Sequence, residues 1–316
     1  MYIGIDLGGS NIAVGLVGRN GFILKKESIP TQPQRHYTEI LEDMAKLSLQ
    51  VIEEAGYSVA DVEAIGIGSP GTPDKDNGIL VYTNNIDFND VPMRAEIRKY
   101  IDLPVFIDND ANCAALAEAV AGAAAGTKHS VTITLGTGVG GGIIIDKKIY
   151  SGFNDSGAEM GHIVIEVDGH PCTCGRRGCW EAYASATGLI RQTKEAAKQN
   201  PDSLICELVE NDIDKINGKT AFDAAKAGDV IGKQVLETYI KYIGVGLTNV
   251  INIFQPEVLA IGGGICKEGE YLLAPLRKYV EREVYCKQVA QTQIKTAMLG
   301  NDAGIIGAAM LGRQKG

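Results

Sequence analysis

Residues 3–17 read IGIDLGGSNIAVGLV, and residues 132–146 read TITLGTGVGGGIIID. Each is an apolar run of strand length, a glycine-rich turn and a second apolar run. The two stretches share little identity but one architecture, which reads as an internal duplication. Around the first copy, Asn20-Gly21 marks a hairpin turn and Phe22 to Lys26 a third strand, so the chain opens as a three-strand meander. The second copy runs into a turn at Lys147-Lys148. The duplication predicts two domains: a small α/β domain over 1–120 and a larger one over 121–299. The last helix, about 300–316, is expected to pack back on the first domain.

The remaining elements follow from periodicity. Ile40, Leu41, Met44, Leu47, Val51 and Ile52 fall on one face of a helix over 37–55. Ala64 to Gly68 reads as a buried strand, Ser69 to Gly78 as a Pro/Gly/Asp loop, and Pro92 opens a short helix. Val105 to Ile107 is a strand, followed by an alanine-rich helix from Asp110 to about Ala121. The second half predicts helices over 184–199, 229–253, 268–284 and 303–313, with strands at 258–261 and 293–298. The fold class is α/β, with mixed sheets carrying helices.

Composition removes several classes of function. At 316 residues with 45% apolar and 22% charged residues, the chain has material for two packed domains and no disordered tract. A net charge of -9 with no basic patch argues against nucleic acid as a partner. No apolar stretch reaches membrane-spanning length. The first strand starts at Tyr2, which leaves no room for a signal peptide, so a cytoplasmic location is expected. Seven cysteines, an odd number, argue against a disulfide framework. The 39 glycines exceed the usual share of about 7% and cluster in runs, which points to backbone approaching a ligand closely.

Three glycine-rich turns each follow a strand: DLGGSN at 6–11, LGTGVGGG at 135–142 and IGGG at 261–264. Such turns aim backbone N–H groups at a phosphate, and Ser10 and Thr137 add hydroxyl donors. One alone is as readily a tight hairpin; three in one chain, two of them duplicated, favour a nucleotide. None is a Walker A loop or a dinucleotide fingerprint. Asp110, at a helix start after a strand, is a candidate base for a hydroxyl proton, and Asp6 a candidate for orienting Mg²⁺. A helix-capping role for Asp108 or Asp110 is the competing reading.

The densest signal is Glu159-Met-Gly-His162 followed by Cys172-Thr-Cys174-Gly-Arg-Arg-Gly-Cys179-Trp-Glu181. Three thiolates and an imidazole form a closed tetrahedral set suited to structural zinc. By spacing, His170 competes with His162 as the fourth ligand. Glu159 and Glu181 flank the loop, and carboxylates of this kind accept hydrogen bonds from vicinal sugar hydroxyls.

These motifs, with IGSPG at 66–70 and NDANCAALAE at 109–118, resemble the ROK family (repressor, open reading frame, kinase) over essentially the whole chain. The resemblance implies an actin-like, ribonuclease H-like ATPase fold with a cleft between duplicated domains, and ATP-dependent phosphorylation of a hexose. It implies Asp110 as base, with Gly71, Asn85, Asn109, Asp110, Glu159, His162 and Glu181 around the sugar. Asp6, Gly8, Gly9, Ser10, Asn11, Thr137 and Gly138 are expected at the phosphates, and Gly262, Gly263 and Gly264 near the adenosine. His162, holding metal with one ring nitrogen and sugar with the other, is preferred over His170, alongside Cys172, Cys174 and Cys179. Where relatives read Asn-Leu-Gly-Trp, this chain reads Asn85-Ile-Asp-Phe, which leaves Asn84 as the alternative to Asn85. Repressors of the family carry an N-terminal helix-turn-helix, and this sequence begins on the first phosphate strand, so a kinase is expected. Glucose is the first substrate by family frequency, ahead of N-acetylmannosamine, fructose or allose; a non-catalytic sugar sensor is the alternative of another class. A homodimer is the family expectation.

Overall fold

A computed structural model describes residues 1–83 and 86–314. Strands β1 (Tyr2–Leu7), β2 (Asn11–Val17) and β3 (Ile23–Pro30) form the expected meander, and β4 (Ala64–Ser69) pairs parallel to β1. The segment read as loop carries a strand instead. There β5 (Thr72–Asp74), β6 (Ile79–Tyr82) and β7 (Asn89–Val91) make a small sheet, its first hairpin turning through Gly78 at φ +74°. Next, β8 (Val105–Asn109) pairs parallel to β4, which completes a sheet in the order β3-β2-β1-β4-β8.

The second copy repeats this order. With β9 (Ser130–Leu135), β10 (Val139–Ile145), β11 (Lys148–Tyr150), β12 (Val258–Gly262) and β13 (Gln293–Thr296), the sheet runs β11-β10-β9-β12-β13. The duplication read from two glycine turns is therefore a duplication of whole sheets. The glycine run is shorter as a turn than its composition suggests, since β10 begins at Val139 and takes up Gly140 to Gly142. The helix expected over 184–199 is two helices, Glu181–Ala184 and Ala186–Gln199, broken at Ser185, whose hydroxyl accepts the Gly188 N–H at 3.0 Å.

The chain divides into two compact units. One comprises Met1–Thr132, Gly142–Ala158 and Ala297–Gly316; the other comprises Ile133–Gly141 and Glu159–Thr296. In the first unit, helix Tyr37–Glu54 buries Ile40, Leu41, Met44 and Val51 with Ile3, Ile5 and Leu7 of β1. Helix Ala303–Leu311 is apolar and buried all round, so it shows no amphipathic period. It packs on β1, on β4 and on helix Asp110–Ala121.

Glu118 ties the end of helix Asp110–Ala121 to the segment before Ala303. The side chain is 1% exposed. Its Oε2 accepts the Ala123 N–H at 2.7 Å, and its Oε1 accepts the Met298 and Leu299 N–H groups at 2.9 Å each. Gln in its place can accept at only one side-chain atom and sets an NH₂ against N–H donors. Glu118→Gln is expected to lower stability by about 2 kcal/mol. The check is a urea midpoint that falls at constant slope; an unmoved midpoint would mean the three bonds contribute nothing net.

Candidate active site

In the first unit, strand register lines up the site. Asp6 of β1 lies opposite Gly68 of β4, Gly68 opposite Asp108 of β8, and Ser69 opposite Asn109. The loops beyond the carboxyl ends of these parallel strands carry GGSN, PGT and DAN, where open α/β sheets place ligands. Asn109, not Asp108 or Asp110, caps helix Asp110–Ala121: its Oδ1 accepts the Ala111 N–H at 2.9 Å and the Asn112 N–H at 3.4 Å. Its Nδ2 donates to the Gly71 carbonyl at 3.1 Å, which joins two of the residues assigned to the sugar. Asp110 is thus the first helical residue, with one oxygen near the Ala111 N–H at 2.9 Å and the capping duty lying elsewhere. Asn84 and Asn85 lie outside the described residues.

The DLGGSN turn closes through the Gly8 N–H to the Asn11 carbonyl at 2.9 Å, with Ser10 and Asn11 exposed. Sequence reading missed what holds it. Thr31, fully buried, donates its hydroxyl to the Gly8 carbonyl at 2.6 Å and its N–H to the Ser10 carbonyl at 2.9 Å. Lys75 was missed as well. It meets Asp108 at 2.6 Å, Ser151 at 2.8 Å and Asp155 at 3.4 Å. Neither residue has a periodicity or motif to mark it, and only tertiary structure reveals its partners.

Burial dominates the electrostatics. It pushes the Asp6 carboxyl up to about 6, with the Asp110 charge adding to the shift. Burial also raises Asp110, against backbone N–H groups and the Asn109 amide, which favour its ionised form. Asp108 is raised by burial too, and Lys75 opposes this. Asp6 and Asp110 are thus half-buried carboxylates whose charges repel, and carboxylate oxygen is the donor type Mg²⁺ takes.

In the second unit, Thr137 and Gly138 form the turn between β9 and β10, and Gly262 ends β12, the neighbour of β9, with Gly263 and Gly264 after it. Gly263 has φ +97°, and a Cβ there would meet the Leu135 carbonyl at 2.2 Å, so these two turns are pressed together. His162 ends the short turn Met160–His162, directly after Glu159. The donor atoms of His162, Cys172, Cys174 and Cys179 all lie within 4.8 Å of one another. Cys172 Sγ is 3.6 Å from His162 Nδ1, and Cys174 Sγ is 3.6 Å from Cys179 Sγ. A tetrahedron with metal–sulfur bonds of about 2.3 Å has edges of about 3.8 Å, so these two pairs are spaced close to what a bound ion requires. Burial and the neighbouring thiols push Cys179 up to about 12, whereas a backbone hydrogen bond at Arg176 lowers Cys174. His170 stands apart, with Nε2 2.8 Å from the Arg191 guanidinium. Glu181, assigned to the sugar, has Oε2 committed to the Val139 N–H at 2.9 Å; its Oε1 lies 3.5 Å from the Thr173 hydroxyl and 3.7 Å from Cys172 Sγ.

The ROK family profile matches residues 2–315 of the chain. The chain belongs to the ROK family. The glucokinase of Thermotoga maritima is 38% identical over 99% of this chain and 97% of its own length. A ROK family glucokinase from Streptomyces griseus, solved with glucose and AMPPNP, superposes with a TM-score of 0.79 at 36% identity, covering 99% of each chain. The ROK hexokinase of Thermus thermophilus superposes with a TM-score of 0.82 at 31% identity, covering 100% of this chain and 99% of its own. The fold of this ROK protein is accordingly the duplicated actin-like ATPase fold that the repeated sheet order describes. Among the described residues no helix is long and apolar enough to cross a membrane.

Proposed function

We propose that this ROK protein transfers the γ-phosphoryl group of Mg-ATP to a hydroxyl of a hexose, with glucose as the sugar. The observation that carries the reading is Asp110: a half-buried carboxylate at the end of the parallel strands, relieved of capping by Asn109 and raised by desolvation above the usual carboxylate range. The 38% identity to a glucokinase over the full chain supports glucose as the acceptor.

Asp110 accepts the hydroxyl proton as the sugar oxygen attacks in line. Asn109, its carbonyl oxygen fixed by the helix and its NH₂ by Gly71, orients the sugar beside it. Gly71, Glu159, His162 and Glu181 complete the sugar-binding set. Backbone N–H groups of the turns at Gly8 to Asn11 and at Thr137 and Gly138 bind the phosphates, and Gly262 to Gly264 lie near the adenosine. Asp6 would hold Mg²⁺, which when bound shields the charge on the β- and γ-phosphates. His162, Cys172, Cys174 and Cys179 would hold zinc as a structural ion, His162 through Nδ1, which leaves Nε2 for a sugar hydroxyl. The net charge of -9 supports a small-molecule partner over nucleic acid, and the family resemblance alone supports a homodimer.

The test is ADP release with Mg-ATP against glucose, mannose, fructose, allose, N-acetylglucosamine and N-acetylmannosamine. Turnover is expected to be highest with glucose. Preferred turnover of another sugar would move the specificity to it, and sugar binding without any turnover would replace the kinase with a sensor.

A further inference from the structure

The segment that carries the metal donors also frames the second glycine turn, and both lie within the second unit. Val139, the first residue of β10, is held on two sides. Its N–H donates to Glu181, two residues after Cys179, at 2.9 Å. Its carbonyl abuts Gly161, one residue before His162, where a Cβ would meet that oxygen at 2.2 Å. Glu181 also fills the space beside Gly138, where a Cβ would lie 2.3 Å from its Oε2.

The far side of the turn is held by Ala186 and Thr187. The break at Ser185 starts a new helix, and first-turn N–H groups have no partner within a helix. That of Ala186 donates to the Gly136 carbonyl at 2.8 Å, and the Thr187 hydroxyl donates to the Thr137 carbonyl at 2.8 Å. With the carbonyls of Gly136 and Thr137 and the N–H of Val139 all engaged from outside, the shape of the turn depends on where residues 159–162 and 179–187 sit. A metal ion held by His162 and by Cys172, Cys174 and Cys179 would fix both of these segments.

We infer that the Cys/His cluster is a determinant of nucleotide affinity: through Glu181, Gly161, Ala186 and Thr187 it holds Gly136 to Val139 in the shape that receives phosphate. The inference rests on the kinase reading and adds to it, since a cluster that served the sugar alone would leave nucleotide binding untouched. Glu181 acts here as a positioning residue.

The experiment is calorimetric titration of Mg-AMPPNP, without sugar, into zinc-loaded protein, chelator-treated protein, and the variants Glu181→Gln and Glu181→Ala with their zinc content measured. Metal removal is expected to weaken AMPPNP binding about tenfold or more, with recovery on adding zinc. Glu181→Ala should weaken it to a similar degree with zinc still bound. Glu181→Gln should stay near wild type, because its amide oxygen can still accept from Val139. Unchanged affinity in zinc-replete Glu181→Ala would overturn the inference even if the metal-free protein fails to fold. Wild-type protein that binds no AMPPNP would instead remove the kinase reading, and this inference with it.

Discussion

Asp110→Asn is expected to lower kcat by at least ~10²-fold while glucose still binds. Asn is nearly isosteric with Asp, and the helix keeps its cap because Asn109 supplies it. The interactions that position the residue therefore survive, and what disappears is the capacity to take up a proton. The effect should fall on kcat rather than on KM for glucose, the pattern of an interaction made only in the transition state. The pH profile gives a second readout. Both carboxylates act ionised, and burial raises both, so activity should fall as pH is lowered through about 6, the value of Asp6. In Asp110→Asn the neighbouring charge is gone, and the acid limb set by Asp6 should move to lower pH. Steady-state kinetics across pH would check both. A near-normal kcat would take Asp110 out of the role of base, and the assignment would then pass to Asp108, which Lys75 holds in an ion pair.

The parts of this molecule that were legible from sequence are those where one physical demand selects residue type. A turn that brings backbone to a phosphate demands glycine, and the three glycine turns were found. A tetrahedral ion site demands thiols and imidazole at close spacing, and the donors fall together. The competition between His162 and His170 could not be settled by spacing, because a hairpin-like fold of the loop, with Val164 bridged to Cys179 and Pro171 to Arg177, reverses the order of nearness. The competing reading of Asp108 or Asp110 as a cap fails for a related reason: Asn109 between them caps equally well, and only the backbone shows which residue is extended, at φ −65° and ψ 147°. Thr31 and Lys75 act through partners 23 and 33 residues away and carry no local signature. Ala303–Leu311 looked like an ordinary closing helix, yet it is buried on every side, and the glycines that admit it lie far back in the chain.

Gly66→Ala is expected to destabilise the protein by about 3 kcal/mol or more, most of it by displacing that closing helix. A Cβ on Gly66 would sit 1.7 Å from the Ala308 carbonyl oxygen, and one on Gly4 would sit 1.9 Å from that of Ile305. Gly4 and Gly66 are direct neighbours across β1 and β4, so together they make a flat place on the sheet where a helix backbone can lie. The obstacle in each case is a backbone carbonyl, which no rotamer change can move aside. Nor can the strands give way cheaply, because the same register that pairs Gly4 with Gly66 sets Asp6 opposite Gly68 and Gly68 opposite Asp108. A shift that relieved the clash would therefore disturb the carboxylates as well, and activity should fall together with the melting temperature. The two glycines face one helix, so the substitutions should not be additive. Once Gly66→Ala has lifted the helix, Gly4→Ala meets less resistance, and the double variant should lose less than the sum of the singles. Melting curves for the two single variants and the double would check this. Full additivity would mean that each clash is relieved locally and the helix stays seated, and a wild-type melting temperature for Gly66→Ala would mean that the helix does not approach the sheet at this point in solution.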